Sequence, residues 1–138
     1  YDRLALVEGV RNGVIDAVCS QHQPHEAAAK QAPFAESEPG VSSIETVLPL
    51  LLSLERDGLV SMNVLVSALS GGAARVLGVS GGALAVGESA DICIFNPGKE
   101  WVVSDETMTS AGKCSPWNGQ RLQGHVKTTL VDGRIVYA

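Results

Sequence analysis

The sequence predicts an α/β fold, on three observations. A helical pattern stops at Asn12-Gly13 and passes straight into a short, mostly apolar run at residues 14–19. Such a run suits a strand buried on both faces, as in parallel sheets. A long proline-bearing segment with two histidines, His22 and His25, follows the end of that run. α/β barrels place their chemistry in such loops. The last third then turns β-rich and closes on an Asp132-Gly133 hairpin signal.

Asp2 is expected to cap a helix over residues 3–11, with Leu4, Val7 and the stem of Arg11 on one side. Asn12 and Gly13 accept the left-handed conformation that a helix stop needs. Residues 20–43 carry Pro24, Pro33 and Pro39-Gly40 and read as a functional loop, because long irregular loops are uncommon in compact domains. Ser42 and Glu45 stand at capping-box spacing. Ile44, Val47, Leu48, Leu51 and Leu52 then form a broad apolar helix face, which Pro49 should kink before Asp57-Gly58 ends it. Ser61 is expected to cap a helix with Met62, Leu65, Val66 and Leu69 inward, and a short helix over 73–77 should stop at Gly78. These stripes read as core packing.

From Gly81 the chain becomes turn-rich. Residues 91–95 read as a strand closed by Asn96-Pro97-Gly98, and residues 101–103 as a second short strand. Residues 126–131 and 134–137 read as the two arms of the hairpin. The division falls at residue 80: helices and the histidine loop (residues 20–43) before it, β-structure over 81–138 after it.

Composition narrows the function classes. The 138 residues are 45% apolar with a net charge of -5 and no basic stripe, which argues against a nucleic-acid partner. Cys19, Cys93 and Cys114 are far apart and odd in number. They suggest neither a zinc knuckle nor a disulfide framework, but reduced thiols in a cytoplasmic protein. No apolar run reaches the roughly 18 residues of a membrane span. The chain opens on Tyr1 already in a helical pattern, as expected of a cut through a longer protein.

Four motifs carry a resemblance. They are Ser20-Gln21-His22-Gln23-Pro24-His25 with Lys30, Pro33-Phe34, Pro39-Gly40 and Ile44-Glu45-Thr46; the tail from Gly82 and Leu84 through Gly87, Ala90-Asp91-Ile92 and Ile94-Phe95 to Pro97; Lys113 with Ser115-Pro116-Trp117 and Gly119; and Val131-Asp132-Gly133-Arg134. Together they resemble the C-terminal third of a dihydroorotase, of the amidohydrolase superfamily. That family reads Thr-Asp-His-Ala-Pro-His at the first motif. The tail alone is similar to many amidohydrolases; the histidine loop and Ser-Pro-Trp narrow it to dihydroorotases and allantoinases.

The resemblance implies the C-terminal part of a (β/α)₈ barrel followed by strands of a small β-sandwich. A barrel needs about 200 residues or more, so these 138 residues would form an incomplete one. In family members, zinc activates a water that opens a cyclic amide. Most zinc ligands come from parts of the family fold outside this stretch. One carboxylate, at the position of Gln21, binds metal and takes the proton of the water. Glutamine carries no charge and is no base near neutral pH, so catalysis is not expected at Gln21. His25 matches a substrate-contacting histidine, and Pro39 and Gly40 a backbone segment that touches the ring. His22 and His25 form an H-x-x-H pair, but two such ligands alone make a poor zinc site. No metal site and no cofactor are expected in this chain. Gly71-Gly72-Ala73 replaces the family's Asn-Pro-Ala and Ser43 replaces a glycine, which reads as relaxed demands on the pocket.

The expectation is therefore a non-catalytic dihydroorotase-like protein of pyrimidine biosynthesis, most similar to the inactive subunits that some bacteria pair with aspartate carbamoyltransferase. The implied partners are that transferase and the rest of the barrel. An active zinc-dependent dihydroorotase, hydantoinase or allantoinase that tolerates Gln21 is the alternative. A small α+β binding module without chemistry is a third reading, though the histidine loop sits awkwardly with it.

Overall fold

The computed structural model describes all residues, 1–138, as a mixed α/β chain. Helix α1 (Asp2–Arg11) leads through an irregular segment into the histidine loop, which carries two short 3₁₀ turns. Helices α2 (Ile44–Arg56), α3 (Met62–Leu69) and α4 (Gly71–Leu77) follow. Strands β1 (Ile92–Val102), β2 (Arg121–Val131) and β3 (Arg134–Tyr137) close the chain. They form one antiparallel sheet with β2 in the centre.

Several local expectations need correction. Residues 14–19 are not a strand. Val14 and Ile15 bend back to donate to Gly9 O, residues 16–19 are irregular with Val18 N–H donating to Ala68 O at 3.0 Å, and Val14 is 79% exposed. A parallel strand is held by ladders on its flanks, and no neighbouring strand lies beside this segment. Asp2 is the first residue of α1 rather than its cap, and neither Tyr1 nor Ser61 makes a side-chain cap bond. Leu4 faces outward, while Val7 and Val10 pack inward. Helix α4 starts two residues early, at Gly71.

The expected pair of short strands around Asn96-Pro97-Gly98 is one long β1. Asn96 pairs with His125 and Glu100 with Gln123, so residues 97–99 bulge out of the ladder. A bulge lets proline sit where its missing N–H costs no ladder bond. The hairpin forms as expected: Asp132 and Gly133 have φ of 49° and 74°, the double positive φ of a type I′ turn. Asp91 Oδ1 accepts the Asp132 N–H at 2.8 Å and anchors that turn.

Helix α2 runs through Pro49 unbroken and packs on β2. Gly124 makes this possible. It lies buried in β2 with φ +117°, and a Cβ there would stand 2.5 Å from Leu52 Cδ1 and 3.4 Å from Pro49 Cα. Gly72 is a second point of close approach: a Cβ would collide with the carbonyl of Asp16 and lie 2.8 Å from Ser67 O. Gly72 therefore has a packing reason of its own, whereas a Cβ at Gly71 would make only ordinary contact, 3.4 Å from Gly82 O. The backbone of residue 16 passes too close to Gly72 for any side chain.

A small core of Val10, Val60, Leu65 and Ala68 joins α1, α3 and the residues after α2, with Ile15 and Val18 against it. Only 13 of 138 residues are buried, and the accessible surface is 9190 Å². A compact chain of this mass exposes about 6,800 Å². Large apolar side chains such as Leu84 and Val86 make up part of the excess.

Candidate functional site

The histidine loop is tied at both ends to the first turn of α2. His22 and Val41 form an isolated parallel bridge, and Gln23 N–H donates to Val41 O at 2.9 Å. The Ser42–Glu45 capping box does not form. Instead His22 Nδ1 accepts the N–H groups of Ser43 at 3.0 Å and Ile44 at 3.2 Å. A ring nitrogen that accepts carries no proton, so the neutral ring holds its proton on Nε2. Nε2 faces Ser110 Oγ at 3.5 Å.

The two residues expected to form the box are engaged elsewhere. Glu45 receives two successive backbone N–H groups, Thr109 at 2.9 Å and Ser110 at 2.8 Å. Ser42 is fully buried; its Oγ donates to Gly112 O at 2.5 Å and its N–H to Cys114 O at 2.7 Å. Ser43 Oγ donates to Ser20 O at 2.6 Å. Buried hydroxyls need such partners, and each has one. The segment between β1 and β2 therefore returns to the histidine loop, although the sequence places it in the β-rich part. Gly112 lies directly against Pro24 and His25.

The structure brings together three of the four residues singled out for the site. His25 Nε2 donates to Pro39 O at 2.8 Å. Lys30 Nζ donates to Gly40 O at 2.8 Å and also to Glu38 O. Three consecutive carbonyls thus point at two cationic or N–H side chains, and the Pro39-Gly40 segment is held from both sides. Gln21 stands apart from this group. It is exposed, its N–H donates to Cys19 Sγ at 3.3 Å, and it has φ +49°. Replacing Lys30 with methionine is expected to loosen residues 38–40 by about 1–3 kcal/mol, read as faster amide exchange and proteolytic nicking there with unchanged exchange in α3.

The donors present do not by themselves suit zinc. His22 uses both ring nitrogens, His25 points Nε2 at a carbonyl, and Gln21 offers a neutral amide oxygen, a weak zinc ligand. A cavity of about 400 Å³ lies on the other side of His22, between α2 and the sheet. His22, Glu45, Ser110, Trp101, His125 and Tyr137 line it, and Trp101 meets His125 edge-on at 5.9 Å. Gln21, His25, Pro39 and Gly40 do not line it. Sequence reading missed Glu45 and Ser42 as anchors of a distant segment, because their spacing matched a local cap. No helix is long and apolar enough to cross a membrane.

Comparison with known proteins adds the family context. Residues 50–137 match the profile of the Amidohydrolase family. A dihydroorotase-like protein of Pseudomonas aeruginosa is 47% identical over 136 residues, covering 99% of this chain and 32% of the relative. A dihydroorotase of Aquifex aeolicus is 42% identical over 137 residues, covering 99% and 32%. The crystal structure of dihydropyrimidinase from Brevibacillus agri superposes with a TM-score of 0.89 at 28% identity, over 97% of this chain and 31% of that one. The chain spans about a third of the length of the curated relatives it matches.

Proposed function

The chain belongs to the amidohydrolase family, with dihydroorotase-like relatives, and on that footing we propose that it works as the C-terminal third of a dihydroorotase-like protein that no longer hydrolyses its ring substrate. In this reading residues 1–80 supply the last elements of a barrel and residues 81–138 part of a β-sandwich. The missing barrel strands would pair with residues 14–19.

Gln21 carries the proposal. It occupies the position where the family uses a metal-binding carboxylate, and its amide can neither hold charge nor take a proton. Its backbone bears a second mark. A φ of +49° is a left-handed conformation that aspartate and asparagine enter several-fold more readily than glutamine. The backbone suits the ancestral side chain better than the present one. The substrate-side group of His25, Pro39 and Gly40 is meanwhile kept in order by hydrogen bonds. A pocket that holds its shape without its base fits a protein retained for assembly. The partner we assign is the catalytic subunit of aspartate carbamoyltransferase, in pyrimidine biosynthesis.

The test uses the full-length protein. Supplied with zinc, it is expected to show no dihydroorotate turnover above background, and to co-purify with the transferase when the two are co-expressed. Turnover at the level of an active dihydroorotase overturns the reading. The ordered His25–Pro39–Gly40 group favours one second reading, an active cyclic amidohydrolase with another base; Gln21→Asp should then change its rate little.

A further inference from the structure

We propose that His22, which neither binds substrate nor serves as a ligand in the reading above, is the positioning residue that sets the histidine loop against helix α2. The inference rests on that reading only in treating residues 20–43 as the site; its geometry stands independently.

Three contacts converge on one ring. Nδ1 accepts two N–H groups at the start of α2, from Ser43 and Ile44. Nε2 reaches Ser110 Oγ, on the segment that Glu45 pins through Thr109 and Ser110. The backbone of His22 bridges Val41, immediately after Gly40. His22 therefore joins the residue after Gln21 to the far end of its own loop, to α2 and to the 103–120 segment. The first N–H groups of a helix have no partners within it, and here a side chain 21 and 22 residues upstream supplies them. An ordinary cap residue serves only its own helix. This one fixes where Gln21 on one side and His25 on the other leave the backbone.

The ring's shape makes the proposal testable. Asparagine places Oδ1 where histidine has Nδ1, and glutamine places its amide nearer to Nε2. In the full-length protein, His22→Ala and His22→Gln are expected to raise amide exchange at Ser43 and Ile44 about tenfold, the loss of one net hydrogen bond. Exchange at Gln23, whose N–H meets Val41 O, should rise with them. His22→Asn should restore all three amides to near the wild-type rate. In the unaltered protein, ¹⁵N spectra should show His22 Nδ1 unprotonated and Nε2 protonated. A protonated Nδ1, equal behaviour of Asn and Gln, or Ser43 and Ile44 responding while Gln23 does not, overturns the proposal. The spectra decide it even if a variant fails to fold. Dihydroorotate turnover by the full-length protein would remove the proposed function and leave these results untouched.

Discussion

Gly124→Val is expected to lift helix α2 off the sheet and to cost the fold about 2–6 kcal/mol. Two separate terms add. The backbone at Gly124 has φ +117°, a region where a β-branched residue is strained by about 1–3 kcal/mol. The new Cβ would also stand 2.5 Å from Leu52 Cδ1. Leu52 is 2% exposed and cannot swing away without opening the packing around it. Denaturant midpoints of the full-length protein measure the effect. Leu52→Ala in the same background should return part of the stability by making room, a coupling that a double-mutant cycle resolves. An unchanged midpoint for Gly124→Val would show that α2 does not approach β2 this closely.

Gln21→Asp is expected to raise ring hydrolysis by zinc-loaded full-length protein about 10²–10⁴-fold above its background, the usual contribution of a positioned general base. The substitution should not harm the fold. Gln21 is exposed, its backbone contact to Cys19 does not involve the side chain, and aspartate is at ease at φ +49°. Bound zinc measured alongside interprets the rate. A gain with zinc bound makes Gln21 the lesion. No gain from a protein that binds no zinc places further lost ligands elsewhere in the full-length chain. High turnover before the substitution, unchanged after it, removes the inactive reading.

Much of the local architecture was legible because local signals carry it. The positive-φ turn at Asp132-Gly133, the apolar face of α2 and the stop at Gly78 each depend on residues within one or two turns of one another. The hydrogen bond from His25 to Pro39 O spans 14 residues of one loop, and no local signal in the sequence announces it. Other expectations failed where a distant partner outbid a near one. Ser42 and Glu45 have capping-box spacing, yet segments 64 to 70 residues away take their side chains. Residues 14–19 have the composition of a buried strand, yet no neighbouring strand is present to bond to them.

By itself, then, the sequence determined most of the helices, the hairpin and the chemical character of position 21, a neutral amide that can neither hold charge nor take a proton. Those follow from side-chain chemistry and short-range periodicity. Only the tertiary structure decided which group caps α2, why Gly72 and Gly124 can bear no side chain, and that the 103–120 segment closes over the histidine loop. Each of these is a contact between residues far apart in the chain, and spacing along a sequence carries no record of such distances.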